Sequence, residues 1–340
     1  FAIRDKAGNI TAQTYMVEKI DTDEPELSLQ ANNTNPTQKD VMITIQASDT
    51  QSGIQKVVYV DAQKEIEIES VNGVYTMPVG ENGTYNFKVT DCVGRTKEES
   101  ITIRNIDRTK PVITVSYDNN EVKNGKYFSS GRTATIQITE KNFDAGKAAV
   151  MIGVTNPKTG DAATIQQELQ GQAAAEKWSA VAGKEDVYQA TITFTEEAEY
   201  TFDIRCTDLA GNDNLDTEGN TIVDYGASTA PTAFVIDKTA PVIEVSYDKN
   251  DVKNDKYFAT ERTATITITE RYFTDSPLEL SGITVKNSNA DKKTAEEIRE
   301  ALTAQLEKAE WKRKKETDTY TAELVFTEDA EYTFDIQCTD

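Results

Sequence analysis

Along most of this chain, apolar and polar residues alternate one by one. In TATIQIT, Ala134, Ile136 and Ile138 fall on one face and Thr133, Thr135 and Gln137 on the other. That period of two predicts a strand with one buried face. EYTFDIRCTD repeats the pattern with Tyr200, Phe202, Ile204 and Cys206, and NGTYNFKVTD with Tyr85, Phe87 and Val89. VITVSYD sets Ile113, Val115 and Tyr117 on one side. Abundant Thr, Val, Ile and Tyr agree with strands, and NNTNP, SG, NG and AGN mark turns. One stretch has a different period. TAEEIREALTAQLEKAEW spaces Ile298, Leu302, Leu306 and Ala309 as a helix does, with strong helix formers between them. AATIQQELQGQAAAEKW is a weaker counterpart, and Trp178 and Trp311 close the two stretches. A single apolar stripe predicts a helix packed on the edge or end of a β structure.

The alternating segments recur. IDRTKPVITVSYD at 106 returns as IDKTAPVIEVSYD at 236, and the 38-residue segments 106–143 and 236–273 match at about two positions in three. FTEEAEYTFDIRCTD at 194–208 returns as FTEDAEYTFDIQCTD at 326–340. The period of about 130 residues is that of a whole domain, too long for a solenoid unit. A more divergent unit opens with IDTDEPELSLQ and closes with NGTYNFKVTDCVGRT, the span of a minimal β-sandwich. The expected organisation is 1–20, the last strands of a preceding domain; 21–106, a sandwich; 107–236, a sandwich with a helical insertion; and 237–340, a similar sandwich that stops before its closing strand. In ENGTYNF and TEEAEYTF a Tyr follows a tight acidic corner, the layout of a tyrosine corner, so Tyr85, Tyr200 and Tyr332 are read as structural.

Charge narrows the function classes. The 340 residues carry a net charge of −22 and no His. Nothing here neutralises phosphates along a groove or draws the chain to an anionic bilayer surface, which argues against nucleic acid and such a surface as partners. No apolar run is long enough to span a bilayer, which argues against membrane insertion of this segment. Without imidazole, the commonest catalytic triads and most zinc sites are excluded too. Cys92, Cys206 and Cys338 are odd in number and far apart, which argues against a disulfide framework. Cys206 and Cys338 stand at inward strand positions and read as core thiols, whereas Cys92 falls in a turn.

Acids recur at three places in each unit. The linker supplies Asp21, Asp107 and Asp237; the loop after the second strand, Asp49, Glu140 and Glu270; the last hairpin, Asp91, Asp208 and Asp340, with Asp5 ahead of them. In a seven-strand sandwich these three places share one pole. Converging carboxylates repel unless something neutralises them, and calcium, a hard cation taking six to eight oxygens, suits such a set. The alternative is plain turn chemistry, since Asp and Asn bond their own backbone in turns and Pro25, Pro111 and Pro241 stiffen the joints. Paired carboxylates also serve glycosidases, but acids repeated in every unit fit a structural role and no enzyme activity.

Taken together, NGTYNFKVTD, DKAGN, ASDTQSGI and the D-x-T-x-P openings resemble the bacterial Ig-like repeats of large surface proteins in Gram-positive bacteria. The helical insertion and Cys92 depart from that pattern. The resemblance implies an all-β fold of tandem immunoglobulin-like sandwiches, extracellular display on the cell wall, and a non-catalytic role as adhesin, stalk or spacer with neighbouring domains as partners. It implies calcium between domains in related arrays, and in some relatives a Lys–Asn isopeptide bond, for which Lys126 and Lys256 are the recurring lysines. Two other roles stay open: an adhesin module gripping a host glycan or protein, and accessory domains of a large secreted glycoside hydrolase.

Overall fold

The computed structural model describes residues 1–273, 278–289, 291–314 and 316–338. Strands make up 46% of the chain and helices 9%, so the fold is all-β with two short helices. The chain divides into two compact units, Phe1–Asp237 and Lys238–Asp340.

The first unit opens with a hairpin of β1 (Ala2–Arg4) and β2 (Ile10–Ala12), whose residues are all exposed. Seven strands follow: β3 (Glu26–Ala31), β4 (Val41–Ser48), β5 (Ile54–Asp61), β6 (Lys64–Glu67), β7 (Tyr75–Val79), β8 (Gly83–Asp91) and β9 (Thr96–Ile103). They form two antiparallel sheets, ordered β3-β4-β7 and β6-β5-β8-β9. Val41, Ile43, Ile45, Val57, Phe87, Val89 and Ile103 fill the space between them. The period of two is the cause: alternate side chains of β4 and β8 point inward and exclude water, while Thr and Lys alternate outward.

A second sheet pair completes this unit with β10 (Val112–Tyr117), β11 (Tyr127–Phe128), β12 (Arg132–Thr139), β13 (Ala148–Thr155), β14 (Ser179–Ala180), β15 (Val187–Phe194), β16 (Ala198–Cys206) and β17 (Ala233–Ile236). One sheet runs β10-β12-β15-β14 and the other β11-β17-β16-β13, with β11 and β17 parallel. The inward faces read from sequence are the buried ones: Ile113, Val115, Tyr117, Ala134, Ile136, Ile138, Tyr200, Phe202, Ile204 and Cys206 share one core.

The second unit repeats this plan with β18 (Val242–Tyr247), β19 (Arg262–Thr269), β20 (Leu278–Lys286), β21 (Lys312–Lys314), β22 (Thr319–Phe326) and β23 (Glu331–Cys338). Its sheets are β18-β19-β22-β21 and β20-β23.

Helix α1 (Ala162–Gly171) lies across β13 and β15, and helix α2 (Ala295–Glu307) across β20 and β22, so each spans both sheets along one edge. Asp161 caps α1, and Thr294 with Glu297 forms a capping box on α2. Ile298, Leu302 and Leu306 are the buried stripe of α2, while Ala309 falls beyond its end. At the C-terminal end of each helix a Gln carries on the contact. Gln172 accepts from Thr193 N at 2.8 Å. Within α2, Gln305 accepts from Val325 N at 2.9 Å and donates to Val325 O at 3.1 Å. These amides meet strand backbone that would otherwise be an open edge.

Candidate metal centre at the strand ends

Each acid cluster grows from three strand ends. In the first sheet pair these are the linker before β3, the loop after β4 and the end of β8. One carboxylate oxygen each from Asp21, Asp49 and Asp91 lies within 4.8 Å of the others. In the second pair the same places, before β10, after β12 and after β16, bring Asp107, Glu140 and Asp208 within the same 4.8 Å. The convergence expected from sequence is therefore present twice. Asp237 ends the first unit, and Glu270 is a buried residue of the second, donating its N–H to Asp318 O at 3.0 Å. Asp340 lies outside the described residues.

A five-residue loop sets the third acid of each cluster. In DLAGN, Asp208 Oδ1 accepts from Gly211 N at 2.7 Å and Asn212 N at 2.8 Å, and Oδ2 accepts from Asn212 Nδ2 at 2.8 Å. Asp5 in DKAGN and Asp216 in DTEGN likewise take the N–H and the side-chain amide of the Asn four residues on. Gly at the fourth place meets a positive φ, +96° at Gly8 and Gly211. In DCVGR, Arg95 replaces the Asn. Asp91 Oδ1 still accepts from Val93 N at 2.9 Å and Arg95 N at 2.8 Å. No amide reaches Oδ2, which is buried without a partner in a fully buried side chain. The Arg95 guanidinium turns to the linker instead, donating to Asp21 O at 3.0 Å and to Thr22 O. The fifth position of this loop was the signal that strand-by-strand reading overlooked. Four copies, aligned on their Asp, show it.

The two clusters thus differ. At the first, Asp21 accepts from Asp23 N at 3.0 Å and Ser52 N at 3.2 Å, and the Ser52 bonds, opposed by partial burial and aided by Arg95, hold its carboxyl below the usual range. Asp49 Oδ1 accepts from Gly53 N at 2.7 Å and Gln51 N at 3.0 Å. At the second, two amides enter the cluster: Asn212 Nδ2 on Asp208, and Asn142 Nδ2 on Asp107 Oδ2. Burial raises the Glu140 carboxyl; the Asn142 N–H opposes this, and Asp208, Asp107 and Asp186 push it further up. Glu140 and Asp208 are both buried, and Asn142 is the residue that sequence reading missed.

Around Asp107 the linker is bonded on both sides. Toward the first sheet pair, Asp107 N donates to Thr37 O at 2.8 Å, Asn82 Nδ2 to Ile106 O at 2.7 Å, and Arg108 to Gln38 O, Gly80 O and Asp40. Toward the second, Asn212 Nδ2 donates to Asp107 O at 3.1 Å and Lys110 Nζ to Leu215 O. A cleft of about 1150 Å³ along this joint carries both signs of charge, lined by Arg104, Lys110 and Lys141 and by Glu140, Glu185 and Asp186.

The remaining candidates are absorbed by packing. Trp178 and Trp311 lie edge-on to Phe143 and Phe273, 5.4 Å away in each case. The Tyr85 and Tyr200 hydroxyls each donate at 2.7 Å to the carbonyl four residues back, Glu81 and Glu196, and Tyr332 does so to Glu328. Cys206 is buried, and burial pushes its thiol up to about 12; Cys338 is half-buried and Cys92 exposed. Lys126 and Lys256 are exposed, each lying over the ring of the following Tyr at 5.2 and 5.5 Å, which is solvent rather than the core position an isopeptide bond needs.

No protein-family model matches the chain, and no curated protein matches it. Among solved structures, a marsupial T cell receptor is 10% identical over 93% of this chain and 97% of its own, with a TM-score of 0.31. Dimeric latent PorU from Porphyromonas gingivalis is 11% identical with a TM-score of 0.25, over 77% of this chain and 28% of its own. Escherichia coli alpha-2-macroglobulin activated by porcine elastase is 7% identical with a TM-score of 0.19, over 92% of this chain and 28% of its own. Likeness at these scores carries no argument about function.

Proposed function

We propose that the chain is a run of tandem immunoglobulin-like sandwiches forming a non-catalytic spacer of a secreted or wall-attached surface protein, and that calcium holds its Asp21–Asp49–Asp91 corner. The single observation that carries the cation is Asp91 Oδ2. A buried carboxylate oxygen without a hydrogen bond loses its hydration with nothing in return, unless a cation takes it. Oxygens of one calcium shell sit about 2.3–2.6 Å from the ion, hence up to about 5 Å apart, and the spacing of the three acids fits that shell. Bound there, the ion would join the linker to two strand ends of the sandwich. The second cluster has its amides instead, and its linker is stiffened by hydrogen bonds to both bodies. A joint so bonded resists bending, which is what a spacer requires.

The test is calorimetry and solution scattering on the whole chain, in EDTA and then in excess calcium. Calcium is expected to raise the melting temperature by several degrees, as ligand linkage requires, and Asp91→Asn to abolish the response. An unchanged melting temperature in wild type overturns the cation; a chain equally flexible at all joints overturns the spacer. Trp178 and Trp311 are used in packing, which leaves the glycan-binding alternative without a Trp platform.

A further inference from the structure

We propose that the fifth residue of the D-x-x-G-x loop selects whether a strand-end acid cluster takes a cation. Arg95 leaves the first cluster open to calcium, and Asn212 closes the second with its own amide. The inference rests on the calcium reading of the first cluster and adds the residue that governs it.

The two clusters are built alike up to that residue. Asp91 and Asp208 are both fully buried, and the Oδ1 of each is held by backbone N–H groups of its own loop. In both, the fifth side chain also takes the linker carbonyl at the matching place: Arg95 donates to Asp21 O at 3.0 Å, and Asn212 Nδ2 to Asp107 O at 3.1 Å. What differs is where the donor's other hydrogens go. Asn212 Nδ2 also donates to Asp208 Oδ2 at 2.8 Å, so a single NH2 group ties the hairpin acid to the linker. The Arg95 guanidinium reaches on to Thr22 O, and Asp91 Oδ2 stays buried and unpartnered. Side-chain length is the cause. An amide close to the backbone lies against the Asp that opens its turn, whereas a guanidinium on a long stem extends past it.

A second position follows the same division. Two residues after Glu140, Asn142 Nδ2 donates into the second cluster, to Asp107 Oδ2. Two residues after Asp49, Gln51 Nε2 turns instead to Asp23 Oδ2, outside the first cluster. The second cluster therefore has amide hydrogens on two of its acids, and the matching side chains of the first cluster point elsewhere. A buried carboxylate oxygen is satisfied by a donor or by a cation, and one already satisfied by a fixed donor gains little from an ion. Arg95 and Asn212 thus act as positioning residues, through the acid that each leaves open or closes. The exposed loops keep the Asn: Asn9 donates to Asp5 Oδ2 at 2.8 Å and Asn220 to Asp216 Oδ2 at 3.0 Å. Equal burial of Asp91 and Asp208 rules out exposure as the difference, which leaves the fifth residue.

The test is calcium titration, by isothermal calorimetry, of the EDTA-stripped whole chain and its variants. Arg95→Asn keeps all three acids and supplies the missing amide, so it should weaken calcium binding by roughly tenfold to a hundredfold, the range of outer-shell changes at metal sites. Arg95→Ala removes the guanidinium and supplies no amide, so binding should persist. In the reverse direction, Asn142→Ala combined with Asn212→Ala should add a calcium-binding step that wild type lacks. Melting in EDTA checks that each variant folds, and there Arg95→Asn should melt above Arg95→Ala because its buried oxygen is satisfied. Unchanged affinity in Arg95→Asn, equal losses in the two Arg95 variants, or no added step in the folded double variant overturns the selector while the calcium reading stands. A wild type without calcium heat overturns the calcium reading itself.

Discussion

At the scale of single residues, the hydroxyls and carboxylates are decided by what lies four positions away. The Tyr200 phenol is buried, and burial pushes its ionisation up, so its hydroxyl stays protonated and donates to Glu196 O. Tyr200→Phe should lower stability by about 1 kcal/mol, the net worth of one such bond, measured by urea unfolding. Tyr85→Phe should cost less, because Tyr85 is half-exposed and water replaces the lost donor for Glu81 O. Equal losses would contradict this account of the corner. The corner tyrosines were legible in the sequence since the motif is local. Asp91 was legible as an acid at the right strand end, but its orphaned oxygen was not. That feature depends on Arg95 turning to the linker carbonyls rather than back to Asp91. Arg132 was only half legible: the alternation puts it on the inward face with Ala134, Ile136 and Ile138, but does not show that a guanidinium there is buried under three rings.

At the scale of elements, sheet faces outside the core carry their own electrostatics. Glu65 on β6 bridges Lys56 of β5 at 2.8 Å and Lys88 of β8 at 3.0 Å. The two lysines lower its carboxyl from 4.5 to about 2. A carboxyl depressed in the fold adds stability above its unfolded pKa and loses it as pH falls through the folded one. Glu65→Gln should therefore be less stable than wild type at neutral pH, and the gap should close between about 4.5 and about 2. Thermal melts across that range, repeated at high salt where screening narrows the gap, check it. A gap constant with pH would mean packing rather than charge. The helices belong to the same scale. Their apolar stripe was readable from spacing, but not that each would lie over two sheets, nor that Gln172 and Gln305 would finish a strand edge with a side chain. Those are contacts between distant segments, and periodicity reports only which face is apolar.

At the scale of the whole molecule, three separate cores divide the chain. Each buries its own apolar residues, so unfolding should not be one cooperative step. Calorimetry should resolve at least two transitions, because Phe1–Asp237 and Lys238–Asp340 are separate compact units with cores of their own. A single two-state transition would contradict this. The sequence by itself determined the alternating strands, their inward faces, the repeated joint, the corner tyrosines and the strand ends at which acids would gather. All of these follow from periodicity or from motifs a few residues long. Only the tertiary structure decided that two acid sets meet within one coordination distance, that one keeps an unsatisfied oxygen while the other holds amides, and that an arginine is buried among rings. Each depends on which distant segments become neighbours, and burial and hydrogen-bond satisfaction are properties of that neighbourhood rather than of any residue alone.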